Sequence, residues 1–222
     1  MIKEYMKRVG YRRVLMMFVG NVILSVGVSI FKLSRLGNDP FSGMIMALSD
    51  QTGIRYAEFL AMVNLALFVI QFLFGKHLIG AGTLVNAFLN GYMMTFLYEL
   101  ELNLIGRPTM LWQQVVIACA GMVICSLGIS LYQTPDVGVA PYDSLSLIMA
   151  DRLSKIPYFW HRIFTDAICA LICWQMGGIV GLGTVLCAFG FGPIIHFFNV
   201  HVAEKLLERP MERRADYSFI RQ

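Results

Sequence analysis

Charge is what this chain has least of. Asp, Glu, Lys and Arg make up 14% of its 222 residues, the apolar set makes up 57%, and mean hydropathy is +0.65. A soluble domain of this length needs more polar surface than that, so the composition excludes one and points to an all-α polytopic membrane protein. Enzyme signatures are missing as well. There is no His-Glu-x-x-His, no Gly-x-Ser-x-Gly elbow, no phosphate loop and no dinucleotide fingerprint, so neither an enzyme nor a cofactor is expected. Cys119, Cys125, Cys169, Cys173 and Cys187 form no CxxC and no Cys/His ligand spacing. They read as small buried hydrophobes rather than a metal site. A nucleic-acid partner is excluded too, because the net charge of +4 comes from the ends of the chain and not from a basic stripe.

What the chain does have is apolar runs of bilayer length, at 14–30 (leading into Phe31), 57–74, 78–97, 111–132, 158–176 and 179–200. The first run is too long for a signal-peptide core and no small-residue cleavage site follows it, so it reads as a retained helix. Basic residues flank the set, with Lys3, Lys7, Arg8, Arg12 and Arg13 before it and Lys205, Arg209, Arg213, Arg214 and Arg221 after it. The positive-inside rule then puts both termini in the cytoplasm, with an even number of crossings between them.

Shifting the sequence by 101 positions against itself reveals a repeat. Gly20, Ser25, Gly27, Ser29, Gly37, Pro40, Gly80, Gly82 and Thr83 fall on Gly121, Ser126, Gly128, Ser130, Gly138, Pro141, Gly181, Gly183 and Thr184. The expected organisation is a basic N-terminus (1–13), a first membrane repeat (14–100), a linker (101–110), a second repeat (111–201) and a basic tail (202–222). Each repeat has three long helices and one short helix opened by Pro40 or Pro141. That makes six long spans, or eight crossing helices if the short ones also cross. At 1.5 Å per residue, a helix of about 13 residues reaches only roughly 20 Å, while a bilayer core is about 30 Å thick. If the short helices stop inside, the repeats are inverted; if they cross, the repeats are parallel. Length favours the first and loop charge slightly favours the second.

Polar groups at membrane depth tend to mark pathways. Asp39 and Asp143 sit at the starts of the short helices, where the default role is capping and the alternative is coordination of a cation or proton. Asn86 and Asn90, with Thr83, form a polar stripe at helical spacing, either lining a cavity or bonding neighbouring helices. Asn64 is a third position of this kind. Arg162 and Asp166 are four apart and share a helix face; the bland reading sends Arg162 out to headgroups beside Tyr158 and Trp160, and Asp166 lies deeper. The glycines of the two Gly-x-Gly-Thr starts, at Gly80 and Gly181, read as close helix contacts, with anion binding by freed amides as the alternative. His196, deep in the last run, reads as a core histidine. The substrate-binding candidates are therefore Asp39, Asn64, Asn86, Asn90, Asp143 and Asp166, with no catalytic residues.

"GNDPFSG" after the first run, "GVAPYDSLS" in the second copy and the two Gly-x-Gly-Thr helix starts make the chain similar to the YczE/YitT-type bacterial integral membrane proteins. The resemblance spans residues 10 to 200. It implies a multi-helix protein of the bacterial inner membrane and carries over no catalytic residue. With it, the expectation is a permease-like transporter for a small solute or ion, working by relative motion of two repeats; the alternative is a non-transporting scaffold or regulator of another membrane protein. The partners expected are the lipid bilayer and a small solute or ion, and a homo-oligomer is left open.

Overall fold

A computed structural model describes residues 10–37, 39–153, 156 and 158–207, and all regular structure among them is helical. Helix α1 is Tyr11–Leu33, α2 is Pro40–Thr52 and α3 is Tyr56–Phe74. A turn at Lys76–Leu78 leads to α4, which joins Ala81–Leu84, a π-helical turn at Val85–Leu89 and Asn90–Ile105. Next come α5 (Leu111–Gln133), α6 (Pro141–Arg152) and α7 (Tyr158–Gln175). Helix α8 is Leu182–Phe198 and continues through a π turn at Asn199–Ala203 into Glu204–Leu206.

Four stretches, Tyr11–Leu33, Tyr56–Phe74, Leu111–Gln133 and Leu182–Leu206, are long and apolar enough to cross a membrane. Helix α3 shows the membrane pattern most plainly. Its buried residues are the polar Asn64 and Gln71, while Met62, Leu65, Val69 and Leu73 are exposed. A soluble helix buries the opposite set; this one turns its apolar face to lipid.

Some boundaries differ from those expected. Gly80 and Gly181 are extended, so α4 and α8 begin at Ala81 and Leu182, a few residues after the apolar runs do. Helix α4 also continues through "YELEL" to Ile105, because Leu and Glu are good helix formers, and ends only at Gly106, whose φ is +75°. The non-helical connection to α5 is 106–110, within the expected linker 101–110. The short helices start as expected. Asp39 caps α2 by accepting a bond from the Ser42 amide (2.8 Å), and Pro40 takes the first helical position, where its missing N–H is no loss. Helix α6 has Ala140 at its cap position and no side-chain cap.

The most extensive helix contact is α1 against α5. A Cβ at Gly20 would sit 2.4 Å from the Tyr132 amide nitrogen, and one at Gly27 would sit 2.4 Å from that of Cys125. In return, Gly121 faces the backbone of Phe31 at 2.6 Å and Gly128 that of Leu24 at 2.4 Å. The partner's number falls as the helix advances, so α1 and α5 are antiparallel. Each of these contacts becomes the other of its pair when the two residues are exchanged across the 101-residue shift.

The segments after α1 and α5 obey the same exchange. Gly183 donates its amide to the Leu36 carbonyl (3.0 Å), and Gly82 donates to that of Val137 (3.1 Å). These glycine amides are spent on backbone carbonyls, which supports close packing over anion binding. Gln71, fully buried, donates to the carbonyls of Leu78 and Val139, both at 3.2 Å, and pins the second crossover. Around the seam, α2 packs on α7 and α6 on α3, while α1 also packs on α4 and α5 on α8.

With backbone in contact at Gly128, no side chain fits without moving a helix. Gly128→Leu should destabilise the protein by at least the ~1–3 kcal/mol typical of an overpacked core, read as a lower thermal midpoint in detergent. Leu104→Ala, at a side chain 76% exposed, should leave the midpoint nearly unchanged.

Candidate functional site

The two short helices meet at their N-terminal ends. Phe41, next to Pro40, stacks on Tyr142, next to Pro141, with ring centroids 4.2 Å apart and planes 15° from parallel. Beside this stack lies a cavity of about 100 Å³. All six residues expected from the sequence line it: Asp39, Asn64, Asn86, Asn90, Asp143 and Asp166. They arrive from α2, α3, α4, α6 and α7, that is, from both halves of the chain.

One wall is charged and comes from the second half. Helix α7 places Arg162 and Asp166 one turn apart, and Arg162 Nε donates to Asp166 Oδ2 at 3.3 Å. Arg162 Nη1 donates to Asp143 Oδ1 across to α6, so one guanidinium holds two carboxylates. Each carboxylate has a further donor. Tyr142 Oη donates to Asp166 Oδ1 at 2.5 Å, while Tyr132 Oη and Gln133 Nε2 (3.0 Å) donate to Asp143 Oδ2. The Arg162 guanidinium also lies 5.0 Å from the centre of the Tyr142 ring. All of Asp143, Arg162 and Asp166 are buried. A buried ion pair gains back its desolvation cost only when such extra hydrogen bonds complete it, and here they do.

The other wall comes from the first half and, Asp39 apart, is neutral. Asn86 Nδ2 donates to Asn21 Oδ1 at 2.9 Å, Ser25 Oγ donates to Asn90 Oδ1, and Asn64 Nδ2 donates to the Ala87 carbonyl at 3.4 Å. The asparagines therefore do both things expected of them, bonding α4 to its neighbours and lining the cavity. The π turn Val85–Leu89 falls between Asn90 and the helix start and includes Asn86. Such turns are rare and frequently accompany functional sites.

Three sequence expectations need correction. Arg162 does not reach out to headgroups; it is 6% exposed and drawn inward by two carboxylates, while Trp160 is 58% exposed. His196 is exposed on α8 rather than held in the core, because α8 turns that face away from α5. Cys119 is exposed among the outward valines of α5, while the other four cysteines are buried. The side chain of Tyr158 lies outside the described residues. Missed altogether were Tyr132, Tyr142, Gln133, Asn21 and Ser25. Tyr142 had a signal, its place beside Pro141, but the others look like ordinary polar positions in apolar helices.

The chain matches the family of unknown function DUF6198 over residues 11–200. It belongs to that family. Among its relatives is the uncharacterized membrane protein YczE of Bacillus subtilis, 25% identical over 198 residues that cover 89% of each chain. The uncharacterized protein YyaS of the same organism is 26% identical, covering 86% of this chain and 94% of its own. An uncharacterized protein of Haemophilus influenzae is 24% identical, covering 91% of this chain and 90% of its own. No solved structure gives a significant match. DUF6198 is thus a YczE-type membrane family, in keeping with the resemblance carried by the proline and glycine motifs.

Two stability measurements probe the charged wall and the cap of this DUF6198 protein. Arg162→Met leaves Asp143 and Asp166 buried without their cation and should cost ~3–5 kcal/mol, a large fall in thermal midpoint in detergent. Asp39→Ala should cost ~1 kcal/mol and Asp39→Asn only a few tenths, since Asn caps as well as Asp. Equal midpoints for all three variants would contradict the bonds described.

Proposed function

We propose that the chain is a small inner-membrane permease that moves a small solute or ion by relative motion of two internal repeats, residues 14–100 and 111–201. The observation that carries this reading is the cavity, which is lined by polar residues from both halves and lies where two Pro-started helices meet. Helix ends at membrane depth, facing a polar cavity between repeats, are a transporter arrangement. The antiparallel course of α1 and α5 supports inverted repeats with three spanning helices each, six in all, and short helices that end inside. The basic residues before α1 and after α8 support cytoplasmic termini. The glycine contacts that recur on exchanging the halves support a duplication, and many transporter folds are built from such internal repeats.

Purified protein reconstituted into liposomes tests the reading. Uptake of a candidate solute should be saturable, and Asp166→Asn should reduce it about tenfold or more, because a charge-assisted contact is worth ~1.5–3 kcal/mol. If no solute or ion in a broad panel moves, and Asp166→Asn leaves cells carrying it unchanged, the permease reading fails.

A further inference from the structure

The composition of the cavity wall names a class of ligand. Among the described residues three carboxylates line it, Asp39, Asp143 and Asp166, and Arg162 is the single basic one. That arginine bonds both Asp143 and Asp166, so an incoming anion would have to displace a carboxylate to reach it. The starts of α2 and α6 also meet here, and each contributes roughly half a positive charge. Set against three carboxylates, the guanidinium and two helix starts leave an excess of roughly one negative charge. The Ser42 amide in the first turn of α2 does not offset it further, because it is already given to Asp39.

The rest of the lining fits a cation equally well. Phe41 and Tyr56 are among the lining residues, and aromatic faces attract cations. Asn64, Asn86 and Asn90 also line it, the first two giving their Nδ2 groups to the Ala87 carbonyl and to Asn21 Oδ1. Among the described residues no three His, Cys, Asp or Glu side chains are grouped to hold a metal ion, so the cavity offers no closed cage of protein ligands for one. The space of about 100 Å³ is a few times the ~30 Å³ that a water molecule takes up in the liquid, so the ligand is small.

We infer that this cavity binds a small monovalent cation of the ammonium type, ammonium itself or a short primary amine, between Asp39 on α2 and the Asp143–Arg162–Asp166 wall. The inference takes the site from the permease reading and deepens it. The N–H groups of the ligand donate to the carboxylate and amide oxygens, and a short alkyl group rests on the aromatic rings. Asp39 is the residue to change, because Asn at that position removes the charge while keeping the helix cap.

The experiment uses the full chain in detergent with methylammonium chloride as the probe, ionic strength being held constant with N-methylglucamine, and sodium formate as the anionic counterpart. Methylammonium should raise the thermal midpoint saturably and formate should not. Asp39→Asn should keep the unliganded midpoint but weaken methylammonium binding about tenfold or more, the loss expected when one charge-assisted contact goes. Unchanged binding in Asp39→Asn overturns the inference, as does stabilisation by formate in place of methylammonium, or by neither. The permease reading fails separately. Methylammonium that binds but does not cross liposomes sinks transport and leaves the ligand class standing. Flux of an anion or a neutral solute without amine binding does the reverse.

Discussion

The contact on which the rest depends is backbone against backbone. Four glycines, Gly20 and Gly27 on α1 with Gly121 and Gly128 on α5, let two long helices touch with no side chain between them. In a bilayer, apolar side chains gain little by leaving lipid for one another, so helix association must come from close packing and hydrogen bonds. A seam this tight supplies the packing. In it the two helices run antiparallel, with Gly20 against the backbone of Tyr132 and Gly27 against that of Cys125. From there the segments after α1 and α5 cross over, each handing a carbonyl to the glycine amide at the start of a distant helix, and the short helices are delivered nose to nose at the Phe41–Tyr142 stack.

Within that frame the buried charges become intelligible. Asp143, Arg162 and Asp166 could not be tolerated singly in an apolar bundle, where an isolated charge costs many kcal/mol. Together, with two tyrosines and a glutamine completing their hydrogen bonds, they form a stable wall that belongs to the second half alone. The equivalent positions of the first half are Ser42, Ala61 and Leu65, and that half contributes asparagines instead. Similar scaffolds with unlike linings give a cavity whose charge, Asp39 apart, lies on one side.

Much of this was legible in the sequence, for reasons that can be named. Scarce charge and long apolar runs give the class. Asp39-Pro40 marks the start of α2, because capping is local chemistry. The polar residues that line the cavity were visible because polarity stands out against an apolar background. Less was legible where the partner is remote. The i,i+4 spacing of Arg162 and Asp166 suggested a pair, but only the approach of α6 turns the arginine inward rather than toward headgroups. Tyr132 and Gln133 meet Asp143 because α5 ends where α6 begins to bury its first turn, and no spacing records that. Whether the halves run parallel or antiparallel was undecidable from loop charges differing by one or two; the glycine seam decides the course of α1 against α5 sterically.

The most direct test of that antiparallel frame is the side of the membrane on which α1 and α5 begin. With the native cysteines replaced by serine, Tyr11→Cys and Thr109→Cys place single thiols at the starts of the two helices, to be labelled in intact cells and in lysed cells with a membrane-impermeant maleimide. The account predicts opposite sides: the Thr109→Cys thiol labels from outside, and the Tyr11→Cys thiol labels only after lysis. Labelling of both from the same side would contradict it.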